Sequence, residues 1–150
     1  WNDEETLRIM RPDEPRVFST YVRNFTLVAE EHLLRDGEPT DCVVTAFLGL
    51  GTGRTPADLD SALAAAGTDH WLADPAFGAA RRLLINRVDG TPPPGYDYAL
   101  IVEAWFPDPA SAVQAFGAIS LPERLPRAVA ACIDPARSVS LLTRVTHRRP

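Results

Sequence analysis

Lysine is absent from the 150-residue chain, so all 15 of its Lys-plus-Arg positions are arginines. That absence excludes Schiff-base catalysis and the phosphate-binding lysine of a P-loop. Cysteine occurs only twice, at Cys42 and Cys132, which is neither a disulfide framework nor a spaced metal set, and both read as small buried fillers. Excess positive charge is also missing: the formal net charge is -5, and no arginine-rich stripe with interleaved aromatics is present. The terminal pair Arg148-Arg149 is too short to change this, so a nucleic-acid partner is not expected. No apolar run reaches the roughly 20 residues that span a bilayer, and the start lacks a basic segment followed by an apolar one. No membrane partner is expected, and a cytoplasmic location is the default. The chain opens on Trp1 rather than Met, so its natural start is expected upstream.

What is present suits a globular domain with a proper core, at 45% hydrophobic and 23% charged residues. From Cys42, the run Val43 to Leu50 is rich in β-branched and aromatic residues and ends at Gly51, the pattern of a buried strand. Thr55-Pro56-Ala57-Asp58 then announces a helix, with Thr55 as N-cap and Pro56 in the first turn, carrying Leu59, Leu63 and Ala66 and stopping at Gly67. Asp74-Pro75 repeats the signal before a second strand over 81–88, and the proline-rich stretch 89–95 must be a loop. A third strand spans 98–106. Asp108-Pro109 opens a helix carrying Val113, Phe116 and Ile119, and 121–132 is helical with interruptions at Pro122 and Pro126. Asp134-Pro135 closes that helix, and 138–146 forms the fourth strand.

The resulting order, β-α-β-β-α-β, is that of an α+β ferredoxin-like unit with an antiparallel four-stranded sheet and helices on one face. The other sheet face needs cover, which a second sheet supplies by closing a barrel. Residues Trp1-Asn2-Asp3 parallel Trp105-Phe106-Pro107-Asp108, and Arg23 to Leu27 parallel Arg137 to Leu141, with a strand at 21–29. Residues 1–41 accordingly read as the C-terminal part of a first repeat and residues 42–150 as a complete one. The barrel would arise within a tandem repeat, by pairing with a missing N-terminal repeat, or in a homodimer. The plainer alternative is that 1–41 is a helical extension with one added strand.

Alternation along the third strand sets Glu103 with Ala99, Ile101 and Trp105 on one face, and Leu100, Val102, Ala104 and Phe106 on the helix-packed other. Glu103 beside Trp105 is then a desolvated carboxylate suited to proton transfer, or a structural one paired with Arg144 or Arg82. His70 is a candidate general base or a surface histidine at a helix end. Asn86 shares a face with Leu84 and Val88 and could hold a carbonyl or developing oxyanion, or be a satisfied amide. The stretch Gly49-Leu50-Gly51-Thr52-Gly53 lacks the last glycine of a dinucleotide-binding loop and reads as a pocket rim. Glu30, Glu31 and His32 read as a solvated strand end rather than a metal set.

The stretches Tyr98 to Phe106, with its acidic helix start, and Asp134 to Leu142 resemble the second half of EthD-domain proteins, of the dimeric α+β barrel superfamily, and the order of elements matches over Val43 to His147. The resemblance implies a histidine after the first helix and an asparagine in the second strand, here His70 and Asn86. It also implies a protein working without cofactor or metal, in some members an enzyme of polyketide or aromatic metabolism. On this reading Trp105, Phe47, Tyr98 and Arg144 bind a planar substrate. His70 or Glu103 moves a proton while Asn86 orients a carbonyl, giving cyclisation, dehydration, decarboxylation or isomerisation. The rival is a non-catalytic ligand-binding or structural barrel, which fold alone cannot separate from the enzyme.

Overall fold

The computed structural model describes residues 27–117 and 120–145, together with Glu4. Five strands, β1 (Ala29–Arg35), β2 (Cys42–Leu50), β3 (Arg82–Val88), β4 (Tyr98–Phe106) and β5 (Ile133–Arg144), form one antiparallel sheet in the order β1-β3-β4-β2-β5. Between them lie α1 (Pro56–Leu72), α2 (Pro75–Ala79), α3 (Pro109–Phe116), a 3₁₀ turn at Leu121–Arg124 and the short α4 (Arg127–Ala130). The four strands β2 to β5 have the expected ferredoxin-like connectivity. The expected count of four strands is corrected to five, because β1 pairs with β3 and adds an edge.

Three helices begin where a capping residue precedes proline. Thr55 and Asp58 form a reciprocal capping box at α1, Asp58 N–H donating to Thr55 Oγ1 at 3.2 Å and Thr55 N–H to Asp58 Oδ2 at 2.8 Å. Asp74 caps α2 by accepting from Ala76 N–H, and Asp108 caps α3 by accepting from Ser111 N–H, both at 2.8 Å. The expected stop at Gly67 is only local: Gly67 leaves helical geometry at φ 58°, ψ 170°, and the helix resumes to Leu72. That backbone region belongs to glycine, so a glycine that would end a helix here kinks it instead.

One side of the sheet carries the core. Val44, Ala46 and Leu48 of β2, Leu83 and Ile85 of β3, and Leu100, Val102, Ala104 and Phe106 of β4 pack against Leu59, Trp71, Phe77, Phe116 and Val129 from the helical layer. Four rings lock the layer together, with Phe77 and Phe106 each edge-on to Phe116 and Trp71 5.5 Å from Phe77. Val113, expected inside, is 58% exposed, because α3 is only 8 residues long and turns Ala112 and Phe116 inward. Val43, Leu84 and Val88 of the opposite sheet face are buried as well, apart from that core.

Two boundaries differ from expectation for physical reasons. Strand β1 covers Ala29–Arg35, beyond the expected end at residue 29, so Glu30, Glu31 and His32 lie within it, held by the ladder to β3 despite their polarity. Residues 21–26, and with them most of the strand expected at 21–29 and the internal parallels of Trp1-Asn2-Asp3 and Arg23 to Leu27, lie outside the described residues, as do Ile119 and 146–150. Strand β5 starts at Ile133 and contains Asp134-Pro135, because an edge strand tolerates a proline at an irregularity in the ladder.

Candidate functional site

The face of the sheet turned away from the helices carries Glu103. Across from it stand Thr45 on β2 and Leu84 on β3; Asn86 opposes Ile101, and Trp105 opposes Val43 and Arg82. Cross-strand partners project to the same side, so Glu103, Asn86, Trp105, Arg82, Phe47 and Glu31 share one surface, Glu31 being the partner of Asn86 on β1. The expected alternation in β4 holds: Leu100, Val102, Ala104 and Phe106 are buried, with Ala99, Ile101, Glu103 and Trp105 half-buried.

Asn86 Nδ2 donates to Glu103 Oε1 at 3.4 Å. Burial pushes the Glu103 carboxyl above the ordinary glutamate range, and the nearby Glu31 carboxylate adds to it; the Trp105 indole, Arg82 and Asn86 pull the other way without cancelling it. The buried Trp105 Nε1 has no hydrogen bond of ordinary geometry, although the indole lies close enough to stabilise the charged carboxyl. The chemistry available here is that of a proton acceptor in apolar surroundings, flanked by two N–H donors.

The other expected site residues are dispersed. His70 is exposed on α1, in the layer across the sheet from Glu103, and its Nδ1 is hydrogen-bonded to the Ala66 carbonyl one turn back. Arg144 is exposed at the end of β5, in register with Cys42 and so on the helix side. Tyr98, at the start of β4, packs its ring 5.4 Å from that of Phe47. Structure thus brings Asn86 and Glu103 together with Trp105, places Phe47 and Tyr98 toward one end of the same strands, and leaves His70 and Arg144 elsewhere.

Four of the clefts formed by the described residues are lined without Glu103, Asn86 or Trp105. One, of about 520 Å³, sits where β2 and β3 end and β4 begins; residues 50–53 form its rim, as the glycine pattern suggested, and Arg54, Arg87 and Arg137 line it. Sequence reasoning did not single out these arginines; a proline inside β5, two residues before Arg137, was the available signal of a bulge. Among the described residues no three His, Cys, Asp or Glu side chains are placed to hold a metal ion, and no helix is long and apolar enough to cross a membrane. Comparison of the chain with protein-family models, with curated proteins and with solved structures gives no match in any of the three.

Proposed function

We propose that the chain is a cofactor-independent enzyme of EthD type that moves a proton on a small carbonyl-bearing, aromatic or polyketide-like substrate, with Glu103 as the base. The observation that carries this reading is the half-buried Glu103 carboxyl, raised above its ordinary pKa by burial and touched by Asn86. A base raised toward neutrality is better matched to a weak carbon acid than an ordinary glutamate. The proton leaves the carbon next to the carbonyl for Glu103. The electron pair moves onto the carbonyl oxygen, where the second N–H of Asn86 and the indole N–H of Trp105 are the available donors. His70 takes no part, since it stands on the far side of the sheet.

The chamber this chemistry needs is closed by a second sheet, from another copy or another repeat, laid over the same face. Leu33, Val139 and Leu141 of that face are 44%, 39% and 45% exposed, an apolar surface that association would cover. A second reading is a ligand-binding protein whose barrel cavity does no chemistry, in which the hydrogen bond from Asn86 to Glu103 is a structural polar pair.

Deuterium exchange separates the two readings. Incubated in D2O with a panel of aromatic 1,3-dicarbonyl compounds, the chain is expected to label at least one compound at its acidic carbon, and Glu103→Gln to slow labelling roughly 10²-fold or more. Labelling no faster than in buffer, or unchanged in the variant, defeats the enzyme reading. Sedimentation of the native chain and of Leu141→Asp tests the chamber, the expected result being a dimer that the substitution dissociates.

A further inference from the structure

The cleft at the strand ends gathers arginine on a chain that is acidic overall. Three guanidinium groups line it against one carboxylate, Asp97, on a chain of net charge -5. The three are not equivalent. Arg87 is fixed by Asp60, at 2.7 Å from Nε and 2.9 Å from Nη2, and by Asp89 at 3.1 Å, so its charge is spent. Arg137 donates to the Leu50 carbonyl at 3.1 Å and lies 3.6 Å from Asp97, which offsets it in part. Arg54 is exposed and forms no salt bridge among the described residues, its charge acting on the nearby Asp58 carboxylate. Arg54 and Arg137 are thus the two guanidinium groups of the cleft whose N–H donors are not all committed to carboxylates.

Arg137 is aimed by a device built into the sheet. Between the partners Phe47↔Val139 and Gly49↔Asp134, residues 135–138 of β5 stand against Leu48 alone, and such a bulge redirects side chains. The bulge is fixed from within, Ser138 Oγ donating to the Asp134 carbonyl at 2.7 Å and Ala136 N–H to Asp134 Oδ1 at 2.9 Å. It presses so closely on β2 that a Cβ at Gly49 would stand 2.6 Å from the Arg137 carbonyl oxygen. A glycine on one strand and a proline in the other therefore set the position of one arginine.

We propose that this cleft is a binding site for a small organic monoanion, its carboxylate on Arg54 and Arg137 and its flat apolar body against Tyr98 and Val88. The volume, about 520 Å³, suits a metabolite-sized ligand, and guanidinium forks match a carboxylate geometrically. The start of α1 contributes no free donor at Thr55 or Asp58, whose N–H groups are taken by the capping box. The site stands independently of Glu103 and of any second sheet.

The full chain titrated with 2-naphthoate, followed by the backbone amide signals of Gly51, Gly53 and Arg137, is expected to show saturable shifts. The neutral isostere 2-naphthamide is expected to bind at least about tenfold more weakly. Arg54→Gln, at an exposed position that leaves the fold intact, should weaken naphthoate roughly three- to tenfold, the range of one partly solvated charge contact. Gly49→Ala should weaken it as well while the amide spectrum elsewhere stays native. Equal binding of naphthoate and naphthamide, or an unchanged affinity in Arg54→Gln, overturns the site. Tighter binding of 1-naphthyl phosphate than of naphthoate overturns its assignment to a monoanion.

Discussion

Asn86 and Glu103 meet diagonally across the β3–β4 ladder: the direct partner of Glu103 is Leu84 and that of Asn86 is Ile101, yet the amide reaches the carboxyl at 3.4 Å. Two side chains 17 residues apart thus form one polar unit on the sheet face turned away from the helices.

The raised pKa of Glu103 makes a stability prediction of definite sign. Burial favours the protonated form, so the folded chain holds that proton to higher pH than the unfolded chain does. Stability associated with Glu103 is then fully present below the unfolded glutamate value and declines as pH rises from there through the folded value. Glu103→Gln, which cannot ionise, should lose none of it. Its melting temperature is expected to exceed that of the native chain by about 1–3 °C at pH 7 and to show no such gain at pH 3.

Gly67 holds the kink of α1 in a backbone region closed to other residues, with nothing within 4 Å of the place a Cβ would occupy. Gly67→Ala therefore meets backbone strain and no clash. It is expected to cost about 1–3 kcal/mol in denaturant unfolding; an equally stable variant would mean that the helix straightens instead.

Arg35 ties the added edge strand to the helical layer, Nη1 donating to the Ala80 carbonyl at 2.9 Å and also to the Gly78 carbonyl. Arg35→Ala should cost about 1–3 kcal/mol, the range for partly buried charge-assisted bonds. Hydrogen exchange should show the loss first in the amides of β1, with β2 and β4 protected as before.

Thr55→Ala removes one half of the capping box at α1. The expected cost is about 1 kcal/mol, read from chemical denaturation, with faster exchange confined to the first turn of the helix.

Much of this architecture was legible because local chemistry and tertiary packing agree. Thr55-Pro56, Asp74-Pro75 and Asp108-Pro109 each marked a helix start, and β4 has the limits that its alternation implied. The helix-side face followed from the same alternation. Where the two disagree, packing prevails: Ala29–Arg35 is acidic and poor in β-formers yet pairs with β3, and Pro135 sits inside a strand whose outer edge needs no donor. The candidate site was half legible. Alternation placed Glu103 and Asn86 each on a face, but their meeting depends on the β3–β4 register, which the long loop 89–97 leaves open. His70 was singled out for its chemistry and family position, and neither fixes which side of a sheet a helix end occupies.

An odd number of strands has a bearing on how copies of this molecule can join edge to edge. With every neighbour antiparallel in the order β1-β3-β4-β2-β5, the two border strands run in the same direction. Copies stacked by simple translation would have to join β5 to β1 in parallel, the weaker pairing per residue. Two copies related by a twofold axis would instead join like edges antiparallel, the stronger pairing per residue. The geometry thus favours pairs with twofold symmetry over stacking by translation.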